Sequence, residues 1–421
     1  MDAPEAREYV AQRARAARRA AAALSATTGG QRDAALLACA AALRDRKGPL
    51  QTANQADLAR AEELNLTAAM IDRLTLTDER IESMASALEE MAVQVDPVGR
   101  TVSAYNRPNG LRIEKRRVPI GVVGIIFESR PNVTSDAAGL CIKSANACIL
   151  RGGKEAIRSN LAIAEALRDG LTQAELPVEA VTVIDNTDRI LVAAMCQATG
   201  LIDLIIPRGG KGLIQAVTQA AIIPVIKHYD GVCHVYVHAA ADLDMALSIV
   251  LNAKCQRPGV CNAMETLLID AAVAESFLPR AAEKLRENGV ELRGCERSRA
   301  LFGDMKPATE DDWRAEYLDL ILAVRVVDGL AAAIEHVNTF GSGHTDAIVT
   351  AEIAAAERFV NQVDSSSVMV NASTRFSDGG EYGLGAEIGI STDKLHARGP
   401  MGAEDLTTTK WIVTGSGHLR K

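Results

Sequence analysis

Residues 118–132 read Val-Pro-Ile-Gly-Val-Val-Gly-Ile-Ile-Phe-Glu-Ser-Arg-Pro-Asn, an apolar run that ends in a polar turn containing a proline. The apolar part, Val118–Phe127, predicts a strand buried on both faces, because it lacks the polar alternation of a half-exposed strand. The segment that follows the turn, Ser135–Ala145, predicts a helix. A fully buried strand followed by a helix is typical of a parallel sheet covered by helices, so this stretch predicts an α/β fold.

The alternation of strands and helices continues through two regions of the chain. The first reaches residue 227, with strands at Ala147–Leu150, Val181–Ile184 and Leu201–Ile206 and helices at Glu155–Leu171, Thr187–Ala198 and Gly212–Ala220. The second runs from about 228 to 370, with strands at His234–Val237, Thr266–Ile269, Ile321–Val326 and Ala347–Thr350 and helices near 242–252, 274–287 and 329–339. We therefore expect two α/β domains, each built on a parallel sheet.

Both ends of the chain and one central segment depart from this pattern. Residues 5–97 have helical periodicity, as in Val10–Leu24, Asp33–Arg44 and Ile81–Val93, and form either a solvated interaction bundle or the helical layer of a larger domain. Thr101–Val118 alternates around Asn109-Gly110, which predicts a β-hairpin. Because a two-stranded ribbon is marginal in water, we expect this hairpin to reach another subunit. Residues 371–389 predict loops, and Thr407–Thr414 predicts a final strand.

Composition excludes several classes of function. The chain has 421 residues, of which 48% are hydrophobic and 24% charged, and its net charge is −8. A net negative charge provides no basic field for nucleic acid or for an anionic membrane. No signal peptide is recognisable at the N-terminus, and no apolar run reaches the roughly 18 residues that span a bilayer. We therefore expect a cytoplasmic protein that binds neither nucleic acid nor membranes.

The eight cysteines predict neither a zinc site nor a disulfide framework, because they are scattered, form no CxxC pair and have no histidines clustered near them in the sequence. One of them stands out. Residues 254–268 place Cys255 and Cys261 in a loop with Pro258 and Gly259, after basic residues and before an apolar run. A thiol is a nucleophile only as the thiolate, which nearby cations and backbone N–H groups favour. The segment predicts either a catalytic thiol or a buried structural cysteine.

Two glycine-containing turns carry positive charge at the ends of predicted strands. One is Arg208-Gly209-Gly210-Lys211, and the other is Arg151-Gly152-Gly153-Lys154. Glycines let backbone amides approach a phosphate, and α/β sheets bind nucleotides at the carboxyl ends of their strands. Each turn alone is also compatible with a tight turn bearing a solvated charge. Together they predict a dinucleotide site, in which Arg and Lys suit the additional 2′-phosphate of NADP.

Five motifs between residues 100 and 400 closely resemble the gamma-glutamyl phosphate reductases (glutamate-5-semialdehyde dehydrogenases), a branch of the aldehyde dehydrogenase superfamily. They are residues 118–132, 205–210, 256–262, 340–345 and 371–379, in this order along the chain. The first 97 residues are similar only in their helical character. The resemblance implies an NADP(H)-binding domain at 1–100 and 119–227 and a catalytic domain at 228–370. It also implies an oligomerisation arm at 101–118 and 405–421, and substrate-binding loops at 371–404 that return to the cofactor domain.

The resemblance also implies roles for individual residues. Cys261 takes the place of the nucleophile, Asn132 is a candidate to stabilise the oxyanion, and Cys255 is interpreted as packing. The residues expected to bind the cofactor are Arg151, Lys154, Arg208, Gly209, Gly210, Lys211 and Glu316. Those expected to bind the substrate are Arg257, Arg375 and Ser373. His228 replaces the water-activating glutamate of the superfamily, and we interpret it as a packed rather than a catalytic histidine.

The activity implied is the NADPH-dependent reduction of L-glutamyl 5-phosphate to L-glutamate 5-semialdehyde and phosphate through a cysteine thioester, the second step of proline biosynthesis. It requires no metal. A homo-oligomer is expected, in which Thr407–Thr414 extends the hairpin sheet across a two-fold axis, and association with glutamate 5-kinase is a further expectation. The alternatives are an aldehyde-oxidising dehydrogenase, a thiol-based redox sensor and a non-enzymatic helical scaffold on residues 5–97.

Overall fold

The computed structural model describes residues 1–420, and Lys421, the last residue of the predicted arm, lies outside them. The helices are α1 (Ala3–Leu24), α2 (Gly29–Asp45), α3 (Lys47–Leu58), α4 (Ala68–Leu74), α5 (Asp78–Ala92), α6 (Asn132–Lys143), α7 (Ile157–Gln173), α8 (Ile190–Cys196), α9 (Lys211–Ala220), α10 (Leu243–Cys255), α11 (Ala271–Glu287), α12 (Glu296–Leu301), α13 (Gly329–Phe340) and α14 (Ile353–Gln362). Across residues 1–420, none of them is long and apolar enough to cross a membrane.

Within residues 1–420 the strands form four sheets. They are β1 (Thr101–Asn106), β2 (Arg112–Pro119), β3 (Val122–Phe127), β4 (Ala147–Arg151), β5 (Val181–Val183), β6 (Leu204–Arg208), β7 (Cys233–Val237), β8 (Met264–Asp270), β9 (Glu291–Gly294), β10 (Lys306–Pro307), β11 (Ile321–Val327), β12 (Thr345–Val349), β13 (Ser367–Val370), β14 (Ile390–Ser391), β15 (Gly399–Pro400) and β16 (Thr407–Thr414). The predicted α/β class is confirmed.

A four-stranded parallel sheet, in the order β5-β4-β3-β6, contains the apolar run Val122–Phe127 as β3. Every residue of β3 is buried, as its apolar composition predicts. Buried residues of α1, α2 and α5 belong to the same hydrophobic core as β3 and β4. Of the two alternatives for the N-terminal segment, the structure therefore supports a helical layer of a larger domain.

The second sheet has seven parallel strands in the order β10-β9-β11-β8-β7-β12-β13. All residues of β7, β8 and β12 are buried, and helices α10, α11 and α13 contribute to the cores on its faces. The predicted strands of this region are present. The sequence reasoning missed β9, β10 and β13, which have only two to four residues each and lie towards the edges of the sheet.

The predicted single strand Val118–Phe127 is wrong, because the chain turns between Pro119 and Val122. Gly121 has a φ of +129°, a conformation that favours glycine, and a Cβ there would lie 2.3 Å from an oxygen of Asp203. The turn separates β2 from β3. It lets the chain pass from a small antiparallel sheet into the parallel sheet.

The hairpin and the last strand form an antiparallel sheet in the order β1-β2-β16. The hairpin turns at the predicted position, where Gly110 has a φ of +93°. The predicted addition of Thr407–Thr414 to this sheet is confirmed, whereas the extension of the sheet across a two-fold axis stays a prediction. β16 pairs with β2 of its own chain along its whole length, from Thr407 opposite Pro119 to Thr414 opposite Arg112. All eight residues of β16 are paired with β2. The backbone N–H and C=O groups on this edge of β2 therefore have hydrogen-bond partners within the same chain.

Candidate functional site

Cys261 lies in the short loop between the end of α10 and the start of β8, at one end of the seven-stranded sheet. Its side chain is half-buried. Gly231 comes so close to this loop that a Cβ would lie 2.0 Å from the Cys261 carbonyl oxygen, and the Cys233 thiol donates to the same oxygen at 3.2 Å. Glycine is therefore required at residue 231, and the loop is held from its inner side.

Two histidines lie beside the Cys261 thiol. The Cys261 Sγ and one ring nitrogen each of His228 and His344 all lie within 4.8 Å of one another. The two rings meet edge to face, with centroids 5.4 Å apart. The expectation that no histidines cluster near a cysteine is therefore wrong in three dimensions, because the fold brings together His228 and His344, which lie 33 and 83 positions from Cys261 in the chain.

The two histidines have different environments. The half-buried His228 has its Nδ1 2.8 Å from the Ile390 carbonyl oxygen. His344 is fully buried, and its Nδ1 lies 2.9 Å from the Thr345 hydroxyl. Burial lowers the pKa of His344 to about 4, and the nearby carboxylates only partly oppose this effect. His344 is therefore uncharged at neutral pH.

The basic residue next to Cys255 is turned into the protein interior and away from the Cys261 thiol. Lys254 is fully buried and its Nζ lies 2.6 Å from the Glu265 carboxylate, which is also fully buried. Cys255, the last residue of α10, has a pKa raised by burial, which disfavours its thiolate. Of the two cysteines in the segment, Cys261 is thus the one in contact with polar groups that can assist chemistry.

Arg375 and Ser373 lie on the loop that follows β13. The guanidinium of Arg375 donates to the side-chain oxygens of Gln256 (2.7 Å) and Asn262, the residue after Cys261. Ser373 is buried and accepts a hydrogen bond from the Arg375 backbone at 3.3 Å. Arg375 also lines a cavity of about 230 Å³ next to α10. The geometry therefore brings Arg375 to the thiol loop, whereas Ser373 shapes the turn that carries Arg375.

Two arginines, Arg130 and Arg375, interact electrostatically with the Cys261 thiol, and Arg257 interacts with both of them. Burial, followed by repulsion from Arg257, lowers the pKa of Arg375, while attraction to Cys261 opposes the effect. Arg130, which we had not assigned to the site, has its pKa lowered to about 10 by burial and then by repulsion from other arginines, including Arg257, and it too is attracted by Cys261. Arg130 lies in the polar turn after β3, so its place in the opening motif was the signal that could have identified it.

Asn132, the candidate for the oxyanion, is the first residue of α6 and is exposed. Its side-chain amide donates to the Asp136 carboxylate at 2.9 Å. Asp136 has a pKa raised to about 6 by burial, which that hydrogen bond opposes. One of the two amide hydrogens of Asn132 is thus used within the helix, and its role at the thiol stays a prediction.

The two turns predicted to bind the dinucleotide differ in how many of their hydrogen-bond donors already have a partner within the protein. Arg151 is buried at the end of β4, where one terminal nitrogen donates to the Thr187 carbonyl at 2.8 Å and its Nε has no partner among the described residues. Lys154 in the same turn is exposed. A buried donor that lacks an acceptor, next to an exposed ammonium, fits a phosphate group of NADP(H).

In the second turn, several of the donors expected to bind phosphate already interact with carboxylates of the protein. The Gly210 N–H donates to Glu128 at 2.9 Å, and a Cβ on Gly209 would lie 2.5 Å from the same carboxylate. Lys211 pairs with Asp230 at 2.8 Å, and a guanidinium nitrogen of Arg208 lies 3.7 Å from Glu387. A phosphate would have to displace Glu128 from this turn, so the first turn is the better prepared of the two.

Glu316 lies on the catalytic side of the molecule. Its carboxylate accepts a hydrogen bond from the Gly231 N–H at 2.8 Å, and burial raises its pKa. Gly231 also lies against the Cys261 carbonyl, so a single residue, Gly231, separates the Glu316 carboxylate from the loop that carries the thiol. This position is compatible with the ribose contact predicted for Glu316.

Comparisons with known proteins agree with this arrangement. A model of the aldehyde dehydrogenase family matches residues 3–293. The crystal structure of a gamma-glutamyl phosphate reductase from Thermotoga maritima is 46% identical, covers 97% of this chain and 99% of its own, and has a TM-score of 0.95. The same enzyme from Saccharomyces cerevisiae is 32% identical, with coverages of 97% and 98% and a TM-score of 0.54.

An acetylating aldehyde dehydrogenase from Geobacillus thermoglucosidasius is only 18% identical, and it covers 100% of this chain and 99% of its own with a TM-score of 0.69. At that level of identity the likeness concerns the fold alone. The match to the Thermotoga maritima protein shows more than a shared fold, because nearly half of the residues are identical over almost the whole of both chains. The chain belongs to the aldehyde dehydrogenase family and, within it, to the gamma-glutamyl phosphate reductases.

Proposed function

We propose that this chain reduces L-glutamyl 5-phosphate to L-glutamate 5-semialdehyde and phosphate with NADPH, which makes it a phosphorylating, NADP-dependent glutamate-5-semialdehyde dehydrogenase of proline biosynthesis. The observation that carries the proposal is the half-buried thiol of Cys261, which attracts Arg130 and Arg375, with Arg257 four residues earlier in the same loop. A nucleophilic thiol in a cluster of guanidinium groups is suited to an acyl group that bears a phosphate.

The proposed reaction begins with attack of the Cys261 thiolate on the acyl carbon of the substrate. The bond from that carbon to the phosphate oxygen breaks, and a thioester remains on Cys261. The arginines hold the phosphate and the α-carboxylate, since a guanidinium binds such oxyanions through two parallel hydrogen bonds. The Cys261 backbone N–H and the Asn132 amide are the proposed donors to the oxyanion that forms on the acyl oxygen.

NADPH, when bound, supplies the hydride that reduces the thioester. The residues that we propose would hold it are Arg151, Lys154, Arg208, Gly209, Gly210, Lys211 and Glu316. Arg151 and Lys154 are the stronger part of this assignment, because the buried Arg151 Nε lacks an acceptor while the Gly210 N–H already has one. The proposed cofactor domain comprises residues 1–100 and 119–227, and the proposed catalytic domain residues 228–370.

The proposal extends to the state of the protein. Exposed apolar side chains on the β1-β2-β16 sheet, namely Val102, Tyr105, Trp411 and Val413, support a homo-oligomer formed through this arm. All eight cysteines are free, which supports a reducing compartment such as the cytoplasm. A functional association with glutamate 5-kinase follows from the chemistry alone, because the acyl phosphate that a kinase forms is the proposed substrate.

The test is a spectrophotometric assay of NADP reduction with glutamate semialdehyde, with and without phosphate. We expect reduction that depends on phosphate in the native enzyme, and none in Cys261→Ser, which should still fold and bind the cofactor. Cys255→Ala is the matched control and should keep most of the activity. Reduction that is independent of phosphate would indicate an aldehyde-oxidising dehydrogenase instead, and loss of activity in Cys255→Ala alone would overturn the assignment of Cys261.

A further inference from the structure

We propose that His228 carries the proton of the Cys261 thiol to the departing phosphate, acting as base and then as acid in one acyl transfer. The inference rests on the proposed function for the identity of the leaving group. It differs from our interpretation of the sequence, which treated His228 as a packed side chain. What changes that interpretation is that the ring lies close both to the thiol and to the Ile390 carbonyl group, which fixes one of its nitrogens.

The hydrogen bond to Ile390 determines which ring nitrogen is free. A carbonyl oxygen can only accept, so the Nδ1 of His228, 2.8 Å from the Ile390 oxygen, must carry the hydrogen. In the neutral ring the lone pair is then on Nε2. A ring nitrogen of His228 lies within 4.8 Å of the Cys261 Sγ, a separation that substrate binding can shorten, because catalytic hydrogen bonds are often long in the free enzyme.

His344 is the other histidine at the thiol, but its environment is unsuited to this role. It is fully buried, and burial lowers its pKa to about 4, so it does not take up a proton near neutral pH. His228 is half-buried, so part of its side chain is accessible to a molecule that approaches the thiol. Between the two, only His228 has both a fixed tautomer and access to the leaving group.

The charged groups around His228 are largely paired with one another. The ionisable residues on the segments in contact with it are Lys227, Tyr229, Asp230, Cys261, Glu316, His344 and Asp393. Lys227 pairs with Asp393 at 2.9 Å, and Asp230 with Lys211 at 2.8 Å. The Cys261 thiol is therefore the group best placed to exchange a proton with His228.

The thiol proton moves to Nε2 of His228, and the resulting thiolate forms the bond from sulfur to the acyl carbon. The bond from that carbon to the phosphate oxygen breaks with its electron pair on the oxygen. The imidazolium then gives its proton to that oxygen, so that the phosphate leaves as hydrogen phosphate and His228 returns to its neutral form.

The test compares His228→Asn with the native enzyme. Asparagine places an amide N–H where Nδ1 lies and can keep the bond to the Ile390 oxygen, but it has no basic nitrogen. The first readout is the rate at which iodoacetamide modifies Cys261, measured by mass spectrometry of its peptide without substrate or cofactor. We expect a loss of about tenfold or more at pH 7 and equal rates near pH 10, where an accessible thiol ionises without help.

The second readout is phosphate-dependent turnover, which should fall about 10²- to 10⁴-fold in His228→Asn. His418→Asn, at an exposed histidine on the arm, is the matched control and should match the native enzyme in both measurements. Native-like alkylation and turnover in His228→Asn would overturn the inference, as would loss of turnover with native-like alkylation, which indicates a structural role.

Two further outcomes are distinct from these. If native enzyme shows no phosphate-dependent turnover, the proposed function fails, while the alkylation rates still decide whether His228 activates the thiol. If circular dichroism shows that His228→Asn does not fold, the alkylation rate and the turnover are measured on His228→Gln instead. Its amide, at the position of Nε2, is equally unable to accept the proton.

Discussion

Replacing Lys254 with methionine should destabilise the protein strongly, because Lys254 is half of an ion pair that is completely buried. Its Nζ lies 2.6 Å from Glu265 Oε2, and neither side chain is accessible to solvent. Lys254 is in the last turn of α10 and Glu265 is the second residue of β8, so the pair ties together the two elements that flank the Cys261 loop.

The expected loss follows from what the substitution leaves behind. Methionine fills a volume similar to that of the lysine stem, so the main effect is an unpaired carboxylate whose remaining hydrogen bond comes from the Leu318 N–H at 3.2 Å. Breaking a buried pair by removing one partner costs about 3–5 kcal/mol. The double variant with Glu265→Gln should lose only about 1–3 kcal/mol, since it leaves an unpaired amide rather than a charge.

The loss should also depend on pH. Burial raises the pKa of Glu265 to about 7, and Lys254 opposes that shift, so removing the lysine moves the pKa of the folded state further above the usual value of 4.5. A raised folded-state pKa favours the folded protein at a pH below the unfolded value, and that contribution is lost as the pH rises through the folded value. Lys254→Met should therefore be less destabilised at pH 5 than at pH 8.

Urea unfolding followed by circular dichroism measures these differences. Lys306→Met is the matched control, because Lys306 also pairs with a glutamate at 2.6 Å, but at the surface, where such a pair contributes about 0–1 kcal/mol. If Lys254→Met loses no more free energy of unfolding than Lys306→Met, or if the double variant is less stable than Lys254→Met, the reasoning about the buried pair is wrong.

Two other expectations concern the cofactor and the assembly. Arg151→Ala should weaken NADPH binding by about 1.5–3 kcal/mol and NADH binding less, measured by fluorescence titration, because a charged hydrogen bond to the 2′-phosphate is lost; equal losses would move that contact to another residue. Truncation after Glu404 removes β16 and exposes the edge of β2. Sedimentation of the truncated protein should then detect monomers or aggregates, and the enzyme assay should show reduced activity. A full-length protein that is monomeric at micromolar concentration and fully active would refute the role of the arm.

Local pattern was sufficient for much of the fold. The final strand was predicted at Thr407–Thr414, where β16 lies, because its alternation is flanked by clear breaks. The turn at Gly121 was missed for the opposite reason. Apolar residues continue through it, and only a change of sheet, which is a tertiary event, places a boundary between Pro119 and Val122.

The site was predictable where a motif carried it and not where packing decided it. Cys261 and Arg375 belong to motifs, and the structure brings them to one loop cluster through Asn262. The contact of His228 with the thiol depends on a carbonyl group 162 residues away, and local sequence contains no information about such a partner. Lys254 is one of the basic residues that precede the thiol in the sequence, yet it is buried in an ion pair with Glu265.

The three arginines give the cleft a preference that the thiol alone would not have. Arg257 repels both Arg130 and Arg375 in the free protein, and this repulsion adds to the effect of burial in lowering the pKa values of these two arginines. A substrate bearing a phosphate and a carboxylate relieves this repulsion when it binds, since it adds negative charge among the guanidinium groups. An uncharged aldehyde brings no such compensation. The cluster therefore favours an acyl phosphate through charge, while the covalent step that we propose takes place on Cys261.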